Sequence, residues 1–250
     1  MSAPPVLPEA PELPARKSFS ARFLGVFISP GETFADIARR PDFLAPLILL
    51  MLTTIAVSET LLRRIGMERL VRMQIEHSSR ASSMTPAQMQ QAVEQGVRIA
   101  TILAHVGFVF LPVVLLIIAA ICLAVTNAIF GGKITFRTAF SVACYADLVS
   151  VLASLIAIVM IIFGDVEHFN PQNPVPTNPG FFLNPAETPR ALLSLAGSFD
   201  IFSLWIIVLL GIGLSEAAGR KVKTTSVTLT LFGLWLAWVL AKVVMSTLAG

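Results

Sequence analysis

The chain has 250 residues, of which 55% are hydrophobic and 13% are charged, and its formal net charge is +3. Ordinary soluble domains carry about 25% charged residues, so this composition indicates one membrane domain and not a soluble enzyme with an anchor. The small net charge comes from basic residues scattered near the ends of apolar segments, which excludes nucleic acid as an expected partner.

The beginning of the chain differs in composition from the rest. Residues 1–17 are rich in Pro, Ala and Glu and are predicted to form a disordered tail. Residues 18–41 are predicted to form amphipathic helices in the membrane interface, because Phe19 and Phe23 recur at helical spacing. Arg22 is expected to contribute positive charge toward anionic lipid headgroups.

Five long apolar runs follow within residues 42–250, each close to or above the ~20 residues that cross a bilayer as a helix. Because backbone polar groups in hydrocarbon must be satisfied within the segment, we expect an all-α polytopic bundle of five transmembrane helices. Pro112 predicts a kink near Phe108 in the second helix. The predicted spans are residues 43–62, 98–130, 138–163, 199–219 and 226–248.

The connections between spans set the expected orientation. The distribution of Lys and Arg favours a cytoplasmic N-terminus and a C-terminus on the outside, although residues 63–98, with six arginines, disagree. Residues 164–198 contain six prolines and are predicted to form an outer loop without regular helix. Whether this loop is loose or forms a partly ordered cap stays open.

Four ionisable residues are predicted at membrane depth, where such groups are costly and normally face protein or water. Asp147 lies on a stripe of small residues that favours a position facing the bundle, as a structural acid or as a proton-relay or substrate residue. Glu59, His105 and Lys242 are predicted at one depth in the outer third. Glu59 and Lys242 are expected to form an ion pair, or Lys242 snorkels outward and His105 bonds a backbone carbonyl.

Small and sulfur-containing residues have structural interpretations. Gly211, Ser215 and Gly219 recur every four residues, the spacing of tight helix contacts. Cys122 and Cys144 lie inside apolar spans and are expected to be buried small hydrophobes.

The sequence contains no G-x-S-x-G, H-E-x-x-H, P-loop or dinucleotide fingerprint and no metal-ligand spacing, so we expect neither an enzyme nor a cofactor or metal.

The order of short motifs along residues 27–244 resembles the Yip domain family, small five-span membrane proteins named for eukaryotic members that interact with Ypt/Rab GTPases. The matching positions fall before the first span, at the second connection and third span, and at the start of the fourth span. They are Ser29-Pro30, Phe34, Pro41, Gly131-Gly132, Phe136, Phe140, Tyr145-Ala146, the run from Asp200 to Trp205, Gly211 and Gly213.

Two departures narrow what this resemblance implies. The Asp-Leu-Tyr-Gly-Pro motif of the eukaryotic trafficking members is absent, and no proline follows Tyr145 closely, unlike in many bacterial relatives. The chain is therefore more similar to a bacterial member in the cytoplasmic (inner) membrane, and GTPase binding is not expected.

The sequence thus predicts a non-enzymatic scaffold, accessory subunit or membrane-organisation factor. Its expected partners are the lipid bilayer and other membrane proteins or further copies of itself. The alternative is a small transporter or permease that uses Asp147 together with the polar residues Glu59, His105 and Lys242, which are predicted at one depth.

Overall fold

The structure is a computed structural model that describes residues 16–76, 83–164, 173–184 and 187–248. In these ranges every regular element is helical, which confirms the predicted all-α class. Most of the predicted disordered tail lies outside the described residues. The helices are α1 (Phe19–Ile28), α2 (Pro30–Arg39), α3 (Leu44–Ile65), α4 (Met67–Glu76), α5 (Pro86–Val106), α6 (Phe110–Ala124), α7 (Phe136–Ala146), α8 (Ser150–Phe163), α9 (Arg190–Ser198), α10 (Ile201–Ala217) and α11 (Thr224–Leu248).

The described residues contain four helical stretches that are long and apolar enough to cross a membrane. A fifth results if α9 and α10, which are bent by 46° relative to each other, are counted as one span. The polytopic helical bundle is therefore confirmed. The four stretches are Leu44–Ile65, Gly107–Ile129, Phe136–Phe163 and Thr224–Thr247.

Two of these stretches contain short 3₁₀ turns. Gly107–Val109 separates α5 from α6 at the position where a kink was predicted. The physical reason is Pro112, which has no N–H to donate to the carbonyl of Phe108. Asp147–Val149 separates α7 from α8 and divides the third span into two helices.

Helix α7 lies at the centre of the molecule, and all its residues from Thr138 to Ala146 are buried. It packs against α6, α10 and α2, whereas α8 packs mainly against α3. The stretch Phe136–Phe163 has 28 residues and is therefore ~42 Å long, more than the ~30 Å of hydrocarbon. Within this long stretch, α7 is the part that neighbouring helices of the chain enclose.

Helices α1 and α2 contribute to this enclosure of α7, and their position in the headgroup layer stays a prediction. Val26, Phe34 and Ile37 are completely buried, and α2 packs along α10. Only the opposite face of α1 is apolar and exposed, at Leu24 and Ile28. The pattern of apolar residues was that of an amphipathic helix, but its apolar face contacts protein.

The proline-rich connection before α10 is more ordered than its prolines predicted. Helix α9 occupies the end of the segment. Pro189 immediately precedes it, and a proline at the start of a helix does not interrupt the helix. Within residues 173–184, the buried Asn178 exchanges two amide hydrogen bonds with Asn173, at 2.7 and 3.0 Å. Its oxygen also accepts from the backbone N–H of Phe181 at 3.1 Å. The described part of the connection is therefore an ordered cap.

Candidate functional site

The most unusual residue of the two N-terminal helices is Arg22, whose side chain is completely buried. Helix α1 begins at Ser18, whose side chain accepts the backbone N–H of Ala21, and Arg22 follows one turn later. An arginine keeps its charge in nearly every environment, so burying it requires several acceptors around the guanidinium group.

Two aspartates supply these acceptors. The Nε of Arg22 donates to Oδ2 of Asp36 at 2.8 Å, and Nη1 donates to Oδ2 of Asp42 at 2.8 Å. Nη2 lies 2.7 Å from Oδ2 of Asp36 and also donates to the backbone carbonyls of Asp36 and Arg40 at 3.4 and 3.3 Å. All three nitrogens of the guanidinium group therefore have hydrogen-bond acceptors.

Tyr145 of α7 completes the group. Its hydroxyl donates to Oδ1 of Asp42 at 2.8 Å, and its ring centroid lies 5.8 Å from the guanidinium carbon of Arg22. This distance is within the range of a cation–π contact. We refer to Arg22, Asp36, Asp42 and Tyr145 as the Arg22 cluster.

The charges of the cluster are balanced. Burial alone would lower the pKa of Arg22, but the hydrogen bonds with Tyr145 and Asp36 and the charges of Asp42 and Asp36 raise it above its ordinary value. The exposed Arg16 also donates to Asp42, so that two arginines face two aspartates. The guanidinium group of Arg22 is therefore held in its charged form.

The cluster joins four parts of the chain: α1, α2, the connection before α3, and the central helix α7. Its polar atoms bond one another and the backbone. Such an arrangement fixes the two N-terminal helices on the bundle, which is a structural role. The sequence predicted Arg22 at the lipid headgroups, which was wrong, because the two acids and the tyrosine were not recognised as its partners.

The intramembrane polar residues predicted from the sequence are not gathered into one site. Asp147 is half-buried in its 3₁₀ turn and accepts a long hydrogen bond of 3.5 Å from the hydroxyl of Ser150. Glu59 lies 3.4 Å from Arg63 on its own helix, and Lys242 is exposed. Within the described residues, Glu59 and Lys242 do not form the expected ion pair. The side chain of His105 lies outside the described residues.

The predicted packing residues of α10 have three different roles. An added Cβ at Gly211 would lie 1.9 Å from Oγ1 of Thr228, so α10 and α11 approach closely there. The hydroxyl of Ser215 donates to the carbonyl of Val222 at 2.7 Å. Gly219 lies beyond the helix with a φ of +67°, so it serves the turn and not helix packing, which corrects the prediction.

The positions that resembled a family motif lie at helix ends and turns. Pro30 begins α2, and Pro41 follows its end. Asp200 caps α10 by accepting the N–H groups of Phe202 and Ser203, and it also accepts the hydroxyl of Thr177.

Other motif positions shape turns and aromatic contacts. Gly131 has a φ of +68°, which glycine adopts without strain. Gly132 approaches the backbone of Thr126 too closely for a side chain. The ring of Trp205 contacts Phe27 edge-on at 5.7 Å. Cys122 and Cys144 are free and buried.

The fold and the cluster together define a polytopic helical membrane protein. Among the described residues no group of His, Cys, Asp or Glu could hold a metal ion. The chain belongs to the Yip1 domain family, whose model matches residues 24–246. This confirms the resemblance found in the sequence.

A bacterial relative extends the comparison. The chain is 26% identical to the membrane protein YknW of Bacillus subtilis (strain 168) over 227 residues, which cover 90% of this chain and 91% of the relative. No solved structure matches the chain.

Proposed function

We propose that this protein is a non-enzymatic scaffold or accessory subunit of a bacterial inner membrane. In this role the N-terminal helices form a fixed inner surface for other membrane proteins or for a further copy of the chain. Because the Asp-Leu-Tyr-Gly-Pro motif of the eukaryotic trafficking members is absent from the sequence, a GTPase is not the expected partner. The observation that carries the proposal is the Arg22 cluster, which uses a buried charge network to hold α1 and α2 on the bundle.

Co-purification from mild detergent tests this role. The tagged full-length protein should enrich a defined set of membrane proteins relative to an unrelated tagged membrane protein. Arg22→Met should lose this set because the inner surface is no longer held in place. Arg39→Met, at an exposed arginine on α2, is the matched control and should retain it. An unchanged set with Arg22→Met, or no enrichment with the wild type, would contradict the proposal.

Transport is the second candidate, and the break at Asp147–Val149 favours it, because broken spans often line substrate sites in transporters. Asp147→Asn keeps the size and the hydrogen bonding but cannot exchange a proton. If the protein is a scaffold, Asp147→Asn should change its free energy of unfolding by at most about 1 kcal/mol, and the variant should keep the co-purifying partners. A folded, inserted Asn variant with the full deletion phenotype would instead favour transport.

We also propose that the N-terminus is cytoplasmic and the C-terminus lies outside. A cysteine introduced at the exposed Phe182 should react with an impermeant thiol reagent added to intact cells. A cysteine at the exposed Lys223 should react only after the membrane is permeabilised. The native Cys122 and Cys144 are buried and should give little background. The reverse labelling pattern would overturn the orientation.

A further inference from the structure

A cleft of about 380 Å³ opens between α3 and the junction of α5 and α6, on the side of the molecule away from the Arg22 cluster. Its volume falls within the ~300–1,000 Å³ typical of small-molecule sites. The lining is apolar over most of its surface and polar along one wall of α3. The residues that the following argument uses are Ser58, Glu59, Leu103, Gly107 and Phe108.

In the orientation proposed above, on which this inference rests, the cleft lies at the outer end of the membrane. Glu59 lies 15 residues after Leu44, where α3 begins, which places it ~22 Å along the helix, in the outer third of the hydrocarbon. Arg63 lies one turn further and reaches the headgroup level. A lipid of the outer leaflet has its polar headgroup and its first acyl carbons at this depth.

The cleft is lined by the acid Glu59, and the basic residue Arg63 lies beside the cleft, one turn further along α3. Glu59 and Arg63 are only 3.4 Å apart, and their side chains are 48% and 82% exposed. An exposed pair of this kind contributes little to stability and exchanges partners easily. It therefore presents a carboxylate that can accept N–H donors beside a guanidinium group that can donate to a phosphate.

The apolar part of the cleft is open because of the helix break. An added Cβ at Gly107 would have nothing within 4 Å. Leu103 and Phe108 supply apolar walls beside this space. The same break leaves the carbonyl of Phe108 without a helical donor, since Pro112 has no N–H. The space suits an acyl chain that enters from the surrounding bilayer.

We propose that this cleft binds one phospholipid with a zwitterionic headgroup that contains a primary ammonium, namely phosphatidylethanolamine. The acyl chain occupies the space beside Gly107, the ammonium donates to Glu59, and the phosphate accepts from Arg63. Phosphatidylcholine fits less well because its quaternary ammonium has no N–H to donate. An anionic lipid such as phosphatidylglycerol has no cation to pair with Glu59.

Native mass spectrometry of the full-length protein in detergent tests this site. The protein is delipidated and then given equal amounts of phosphatidylethanolamine, phosphatidylcholine and phosphatidylglycerol. The wild type should retain one phosphatidylethanolamine in preference to the other two lipids. The preference should be roughly tenfold, the scale of one charge-assisted hydrogen bond.

Two variants locate the lipid. Gly107→Leu fills the apolar space and should abolish retention. Gly233→Leu, at a glycine of α11 where an added Cβ also has nothing within 4 Å, should retain the lipid. Glu59→Gln should bind phosphatidylethanolamine and phosphatidylcholine equally. Glu68→Gln, the acid of a similar exposed pair with Arg72, is its control and should keep the preference.

The outcomes separate the possibilities. Equal retention of all three lipids by the wild type, or a preference for phosphatidylglycerol, would overturn the proposal. Equal losses in Gly107→Leu and Gly233→Leu would also overturn it, since the lipid would then be part of the general annulus. Glu59→Gln changes only an exposed group, so an unchanged lipid preference in this folded variant would exclude the headgroup contact.

Discussion

The Arg22 cluster and the Glu59–Arg63 pair use the same two chemical groups in opposite ways. Arg22 is completely buried and bonds two carboxylates and two backbone carbonyls, and one of the carboxylates also accepts a tyrosine hydroxyl. Arg63 is mostly exposed and contacts one carboxylate on its own helix. Burial with many bonds fixes helices relative to one another, whereas an exposed pair leaves its groups available to a ligand. The charges of the Arg22 cluster are therefore architectural, and those of the Glu59–Arg63 pair are suited to the binding that we propose.

The largest expected effect follows from removing the inner cation. Arg22→Met leaves the buried Asp36 without its main partner and leaves the partly exposed Asp42 with Arg16 and Tyr145, which should lower the free energy of unfolding by about 3–5 kcal/mol. Reversible unfolding in mixed micelles measures this loss. Arg39→Met, at an exposed arginine, should change the stability by less than about 0.5 kcal/mol. Equal effects of the two changes would show that the cluster does not hold the fold.

A smaller effect is expected from the tyrosine. Tyr145→Phe keeps the ring but removes the hydrogen bond to Asp42, which should cost about 1.5–3 kcal/mol because the acceptor is charged. Combining it with Asp42→Asn in a double-mutant cycle should show a coupling energy of at least about 0.5 kcal/mol. Unfolding measurements in which the two losses simply add would mean that these side chains do not interact.

The smallest effect is expected at the outer pair. Glu59→Gln should alter the free energy of unfolding by no more than about 1 kcal/mol, because exposed ion pairs contribute little. The same unfolding assay without added lipid measures this. A loss above about 2 kcal/mol would show that Glu59 is a structural residue, and the contrast between the two regions would fail.

The spans could be predicted from the sequence because hydrophobicity over ~20 residues is a local property. The kink at Phe108 was likewise predictable from Pro112 alone. The connection before the fourth span was less accurate, since its six prolines concealed the short helix α9, which precedes α10 at an angle of 46°. The spans, the kink and α9 all depend on residues that are close in sequence. They could be predicted where the hydrophobicity or the proline pattern of those residues was clear.

The Arg22 cluster could not be predicted in the same way, because its members come from four separate parts of the chain. Arg22 beside Phe19 and Phe23 has the pattern of an interfacial helix, and only the fold brings Tyr145 to it. One signal was present: Asp36 and Asp42 follow Arg22 closely, in a segment that the bilayer interface alone does not explain. Likewise, equal depth did not bring Glu59 to Lys242, because depth does not determine which helices are neighbours.

Hydrogen–deuterium exchange of the wild type and Arg22→Met in detergent tests the central claim most directly. If the cluster holds α1 and α2 on the bundle, the amides of these two helices should exchange much faster in the variant. The amides of α3 and α8, which pack against each other elsewhere, should keep their protection. Unchanged protection of α1 and α2 in Arg22→Met, or an equal loss throughout the bundle, would contradict the account.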